Sequence, residues 1–146
     1  MTIPSLDQTI ETRLRAREAR YTTARRSVVA ALESAAGPRS AGELYQDIQG
    51  LVPLSSLYRT LSVLEDADVV VPHFGSRGLT RYELADWITG HHHHLVCIGC
   101  GTVQDVDIPP EMESWVRGAV EELAELVAFA PTDHTLEIEG RCLKCR

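Results

Sequence analysis

Leu54–Val69 reads "LSSLYRTLSVLEDADV", and its periodicity decides what the first half of the chain must be. Leu57, Leu61 and Leu64 recur at helical spacing and share one face, with Ser55 as the expected N-cap. Ser56, Tyr58, Arg59 and Ser62 fall away from that face. Such a helix packs on its leucines and presents a polar surface outward. Upstream, "SAGELYQDI" (40–48) opens with Ser40 and Glu43 at capping-box spacing and carries the apolar pair Leu44 and Ile48. "QGLVP" (49–53) is a tight turn between the two. Downstream, "VVVPHF" (69–74), "GSRG" (75–78) and "LTRYEL" (79–84) read as strand, glycine turn and strand. Short helix, tight turn, outward-facing helix and hairpin make a winged helix-turn-helix. The plain alternative is a helical hairpin with a trailing β-hairpin.

The rest of the front half fits that reading. A first helix is expected over Leu6–Ala19 and is interrupted by "YTT" (21–23). A second, capped by Thr22 or Thr23, places Val28, Leu32 and Ala35 at helical spacing and ends at "AAGP" (35–38).

Charge is unevenly distributed. The 146 residues carry a net charge of −7, which argues against a protein that coats nucleic acid. Arg13, Arg15, Arg17, Arg20, Arg25 and Arg26 nevertheless stand against the single acid Glu18 between 13 and 26. From Leu84 to Arg146 there are 11 acids and 4 bases. A basic front joined to an acidic back can mark a nucleic-acid face on a different module, or simply a solvated basic helix. The start has no apolar signal region and no run is long enough to span a membrane, so a cytoplasmic location is expected.

Beyond "ADWITG" (85–90), which reads as a hinge, the pattern changes. "HHHHLVC" and "GTVQDVDI" read as strands. "EMESWVRGAVEELAELVAF" (111–129) reads as an amphipathic helix with Met112, Trp115, Val116, Ala119 and Leu123 along one stripe. "HTLEIEG" (134–140) alternates, so His134, Leu136 and Ile138 share a strand face. The fold class is therefore α+β. A winged-helix domain over 1–84 and a hinge over 85–90 precede an α/β domain over 91–146.

The back half holds the metal chemistry. Cys97-x-x-Cys100 and Cys142-x-x-Cys145 supply all four cysteines of the chain. Two thiolate pairs at this spacing suit a closed, tetrahedral structural Zn2+ site. Disulfides or a redox pair are the alternatives, and a reducing compartment disfavours them. The run His91–His94 is internal, unlike a purification tag. If it is extended, His91 and His93 point one way and His92 and His94 the other, so one run can serve two sites. Glu83, Asp105, Glu113 and His134 are the acids and the remaining histidine placed to complete them. Imidazole and carboxylate suit zinc, iron, nickel or copper. The bland reading of the run is a solvated loop.

Taken together, "PLSSLYRTLSVLEDADVV", "RYEL", "HHHHLVCIGCG" and "HTLEIEGRCLKC" resemble the ferric uptake regulator family of bacterial metal-responsive repressors. The resemblance runs from about Tyr21 to Cys145, with the order and spacing of all four motifs matching. It implies an N-terminal winged-helix DNA-binding domain and a C-terminal α/β dimerisation domain, acting on DNA as a metal-loaded homodimer. It assigns Cys97, Cys100, Cys142 and Cys145 to structural zinc. His91, His93, Glu113 and His134 fall to a second site in the dimerisation domain. Glu83, His92, His94 and Asp105 fall to a regulatory site for Zn2+ or Fe2+ at the hinge. Tyr58 and Arg59 match the DNA-contacting pair, with Arg20, Tyr21, Ser55 and Ser56 completing the DNA surface. Two features depart from the family. The loop "GPRSAGELY" lacks the histidine that iron- and peroxide-sensing members supply, and "YELADW" lacks the cysteine of zinc-sensing members. Asp86, His73 or a water is left to fill the place, although His73 also fits an ordinary wing histidine.

The expectation is a non-enzymatic, metal-dependent repressor of iron- or zinc-uptake genes. It would bind a double-stranded operator, with no membrane and no small-molecule substrate. A metal-storage or metallochaperone module explains the histidines but not the winged helix. A zinc hydrolase would need an open coordination position and a substrate pocket.

Overall fold

The computed structural model describes residues 2–74 and 78–146, in two compact units, Met1–His91 and His92–Arg146. In the first unit α1 (Leu6–Arg15) and α2 (Thr23–Ser34) precede a two-residue strand β1 (Arg39–Ser40). Then come α3 (Ala41–Asp47), α4 (Leu54–Asp66), β2 (Val70–Phe74), β3 (Thr80–Leu84) and the one-turn helix α5 (Asp86–Thr89). The three strands form an antiparallel sheet in the order β1-β3-β2, the wing beside the helix-turn-helix α3–α4. Residues 75–77 of the expected "GSRG" turn lie outside the described residues.

The leucine stripe of α4 behaves as its spacing demands. Leu57, Leu61 and Leu64 are fully buried and meet Ile10, Leu14, Val28, Leu44 and Val69 in one core. Each such burial contributes roughly 2 kcal/mol. The Ser40 capping box forms as read, with the Ser40 hydroxyl accepting from Glu43 N and the Glu43 carboxylate accepting from Ser40 N. Thr22, rather than Thr23, caps α2.

Three sequence expectations shift. α1 stops at Arg15 instead of Ala19, because Glu18 takes a left-handed conformation and Ala19 N donates back to Leu14 O. That closing turn satisfies the last carbonyls of the helix. Pro53, not Ser55, is the N-cap of α4, and Ser55 sits inside its first turn without capping it. Proline fits there because its fixed φ suits the helix entry and its missing N–H is not needed. The segment read as a hinge (85–90) contains α5. Ala85 is buried, and Ile88 packs against the first unit's core.

The second unit comprises β4 (His93–Cys97), β5 (Val103–Val106), α6 (Pro110–Leu126) and β6 (Glu137–Gly140). Its sheet has the order β5-β4-β6, with β4 antiparallel to β5 and parallel to β6. α6 forms as expected, but its apolar stripe is not buried by its own chain. Trp115 is 74% exposed and Leu123 64%, whereas Ala124 is the buried residue of the helix. Among the described residues no helix is long and apolar enough to cross a membrane.

Glu43 joins the capping box to a buried cation. Its Oε2 lies 2.7 Å from Nη1 of Arg81, whose side chain is buried on β3. Burial works to raise the Glu43 carboxyl pKa, but Ser40 N–H and then the Arg81 guanidinium outweigh it and leave the value below the ordinary one. A depressed carboxylate stabilises the fold above its unfolded pKa, and that stability is lost as pH falls through the folded value. Glu43→Ala is expected to cost about 1–2 kcal/mol near neutrality through the lost cap and ion pair. Urea titrations should show the gap to the parent protein narrowing in acid.

Candidate metal centres and nucleic-acid interface

The register of β4 builds the thiol centre. Cys97, the last residue of β4, lies opposite Gly140 on β6, and the chain turns there to deliver Cys142 and Cys145. Cys97 N donates to Thr102 O, and Gly101 N donates to Cys97 O, which folds Cys100 back onto the strand end. All four cysteines are free, and their Sγ atoms lie within 4.8 Å of one another. Cys100 and Cys142 are 3.9 Å apart, Sγ to Sγ. Tetrahedral zinc with ~2.3 Å bonds to sulfur requires about 3.8 Å between sulfurs, so the donor set fits this ion.

The surroundings already favour thiolate. Cys97 Sγ accepts N–H groups from Cys142 at 3.4 Å and Cys100 at 3.5 Å, which pull its pKa down to about 5. The Thr102 hydroxyl, 3.2 Å from Cys100 Sγ, lowers that thiol as well. Cys145 moves the other way, to about 12, through its hydrogen bond with Cys142 and then Cys97. Four thiolates at this spacing repel one another, and a dication is what lets the last one ionise. Gly99 is required by the same crowding. A Cβ at this position would stand 2.8 Å from Cys145 Cβ and 2.9 Å from its Sγ. Neither Gly99 nor Thr102 was singled out by sequence reasoning, although a glycine inside Cys-x-x-Cys is a legible hint of a tight knuckle.

The alternation expected of the histidine run is present in the second unit. His93 Nε2 lies 2.7 Å from Glu113 Oε2, and His134 Nε2 lies 3.0 Å from Glu113 Oε1. The His93 and His134 rings are 5.5 Å apart. Glu113 is delivered by the first turn of α6 and His134 by the segment leading into β6. On the other face of β4, His94 pairs in register with Asp105 of β5. Asp105 Oδ1 is 3.4 Å from His94 Nε2 and 3.5 Å from His92 Nε2. The His92 and His94 rings meet edge to face at 5.0 Å. Each face thus holds two imidazoles and a carboxylate converging on one point, the chemistry of a borderline divalent cation. His91 ends the first unit, two positions before His93 and in phase with it. Glu83 stands on β3 of the first unit, opposite Val71.

On the first unit, Tyr58 is 53% exposed, and Arg59, Ser55 and Arg20 are also exposed, while Ser56 is half-buried. Ser56, Tyr58 and Arg59 lie off the leucine face of α4, as read, while Arg20 precedes α2. Tyr21 is different. It is a core residue, its ring covered by the Arg26 guanidinium at 4.0 Å and its hydroxyl donating to Asp7. Burial, followed by the Asp7 carboxylate, holds its pKa up at about 12. Its first role is therefore packing. Several arginines of the basic segment are likewise engaged. Arg15 pairs with Glu11, Arg26 with Asp7, and Arg25 donates to the Arg20 carbonyl.

A winged-helix unit joined to a module with one thiolate centre and two imidazole–carboxylate clusters defines a class of metal-binding two-unit proteins. The model of the ferric uptake regulator family matches residues 16–139, and the chain belongs to that family. It is 31% identical to the ferric uptake regulation protein of Rhizobium leguminosarum bv. viciae over 140 residues, 94% of each chain. It is 35% identical to that of Vibrio anguillarum over 107 residues, 70% of this chain and 66% of the other. That second alignment thus covers just under two thirds of its relative. The solved Vibrio cholerae ferric uptake regulator, described by its rearranged DNA-binding domains, superposes with a TM-score of 0.73 at 27% identity. It covers 90% of this chain and 98% of that one.

The crowding at Gly99 yields a test of the thiol centre. Gly99→Ala should displace Cys145 and weaken zinc retention against a chelator, while leaving the first unit folded. Cys142→Ser should go further and unfold the second unit, since a structural zinc can supply on the order of 10 kcal/mol. Metal analysis after chelator challenge, read beside thermal melting, checks both.

Proposed function

We propose that this chain is a cytoplasmic, homodimeric, metal-dependent transcriptional repressor of metal-uptake genes. The observation that carries the reading is that His93 and His94, neighbours on β4, meet separate carboxylates, Glu113 and Asp105, after a winged helix with an exposed Tyr58 and Arg59. In this reading Glu83 joins His92, His94 and Asp105 as the regulatory site, and His91 joins His93, Glu113 and His134 as the second. Glu83 lies at the end of the wing strand, so its participation would tie the DNA-binding unit to the other. A Zn2+ or Fe2+ ion bound there would supply a fixed bond between carboxylate and imidazole donors of the two units. The thiol centre would hold structural Zn2+.

The chain's own residues supply the rest. α4 would enter the major groove with Tyr58 and Arg59 toward base edges, Ser55 and Ser56 toward phosphate, and Arg20 beside them. The exposed stripe of α6, with Trp115, Leu123 and Met112, is the kind of apolar surface that a second copy buries. Two recognition helices then have to stand about 34–36 Å apart to meet successive major grooves. Fixing the two units against each other favours that spacing, so metal and DNA would each raise the affinity for the other. The acidic second unit would keep the protein from coating random DNA.

Two variants test the reading. Arg59→Ala should leave folding intact and weaken operator binding by about 1–3 kcal/mol, as expected for loss of a base-edge contact. His92→Ala should remain a zinc-containing dimer yet lose metal-stimulated DNA binding, with His91→Ala milder. Fluorescence anisotropy at fixed salt with buffered zinc or ferrous iron measures both. An unchanged metal response in His92→Ala would leave the histidines as structural ligands only.

A further inference from the structure

The helix α5 lies between the wing and the histidine run, and one of its side chains is wired to the end of the recognition helix. Trp87 Nε1 donates to the carbonyl of Asp68 at 2.6 Å. Asp68 is the residue that terminates α4. It takes a left-handed conformation, φ 55°, while its N–H donates to Glu65 O and the following Val69 N–H donates to Leu64 O. This closure turns the Asp68 carbonyl out of the helix and makes it available to the indole. Arg13 of α1 closes the arrangement from the other side. Its guanidinium lies 4.3 Å from the centre of the Trp87 ring and 3.5 Å from the Asp68 carboxylate. Ala85 N donates to Val69 O at 2.9 Å, and Ile88 packs against the core of the unit, so the backbone of the segment is anchored at the same place.

The packing does not explain why the tryptophan is there. Trp87 remains 37% exposed, and the residue of α5 that packs against the core is Ile88. What an indole adds is a directed N–H and a flat face for a cation, two contacts that fix orientation. They hold three points together: α1 of the basic segment, the C-terminus of α4, and the helix from which the chain passes through Gly90 into the histidines.

We propose that Trp87 is a positioning residue that transmits metal occupancy of the histidine run to the recognition helix, by clamping α5 to the Asp68 terminus of α4 and to Arg13. The proposal rests on the metal-dependent DNA-binding reading above. A force or restraint on His92 and His94 reaches α4 only as far as the intervening segment is rigid. The clamp supplies that rigidity at the DNA-binding end.

The experiment compares the parent, Trp87→Ala and Trp87→Phe. The probe is a duplex selected by metal-loaded parent protein from a random-sequence library, read by anisotropy with zinc and with ferrous iron in turn. Coupled sites give a metal-loaded to metal-free affinity ratio of about 5–150. Trp87→Ala should keep the parent's metal content, dimeric state and metal-free affinity, while its ratio falls at least roughly fivefold or to near unity. Trp87→Phe, which keeps a ring beneath Arg13 but has no N–H for Asp68, should fall between the two. If Trp87→Ala does not fold, Trp87→Phe decides, by a ratio below the parent's. A parent-like ratio in the folded variants overturns the proposal. So does an equal loss of metal-free and metal-loaded affinity, which would make Trp87 a stability residue only. A parent that ignores both metals overturns the regulatory reading itself, and the proposal with it.

Discussion

The pleat of one short strand organises the metal chemistry of this protein. Successive side chains of β4 point to opposite faces. His93 therefore meets Glu113 and His134, while His94 meets Asp105 across the adjacent strand. The same strand ends at Cys97, where parallel pairing with β6 brings the second cysteine pair to the first. A shift of one residue in that register would exchange the two faces and separate the sulfurs. One thiol group and two imidazole–carboxylate groups thus hang on one hydrogen-bonded alignment.

The thiol centre and the two histidine faces differ in a way that fits separate roles. Four sulfurs at tetrahedral spacing leave no open position, and backbone N–H groups draw Cys97 toward thiolate before any metal binds. A closed four-sulfur set of this kind suits an ion held for stability rather than for chemistry. The histidine faces each bring only two imidazoles and one carboxylate from the second unit. Two imidazoles and one carboxylate leave further coordination positions of a borderline divalent cation for other donors.

The first unit shows the complementary economy. Its core is built from stripes on α1, α2, α3 and α4, with the wing strands closing one side. The arginines that make the front of the sequence basic are partly consumed in holding that unit together, as Arg26 with Asp7 and Arg13 with Asp68 show. The charge of the segment therefore records packing as much as any outward-facing function.

Much of this was legible in the sequence, wherever the signal was local. The leucine stripe of α4, the Ser40–Glu43 box, the Thr22 cap and the alternation of the histidines each rest on spacing within one turn or one pleat. The leucine stripe and the box formed as read, Thr22 was the one of two threonines to cap, and the strand took up the histidine run only from His93. The paired Cys-x-x-Cys motifs pointed to a metal site because two thiolate pairs at that spacing suit a tetrahedral ion, with disulfides or a redox pair as the alternatives. The tertiary structure decided what spacing cannot carry. β1 is two residues long, too short to show any period. Glu18 ends α1 early although it is not glycine, because the Ala19 N–H bond to Leu14 and the packing of Ala19 on the core hold the left-handed turn. Tyr21 turned inward because Asp7 and Arg26 were there to receive it. The stripe of α6 was visible from its period, but whether its own chain buries it was not, since amphipathicity records that a face is apolar and is silent on what covers it. Likewise "ADWITG" carries no periodic signal, and only three-dimensional packing places Trp87 against the end of α4.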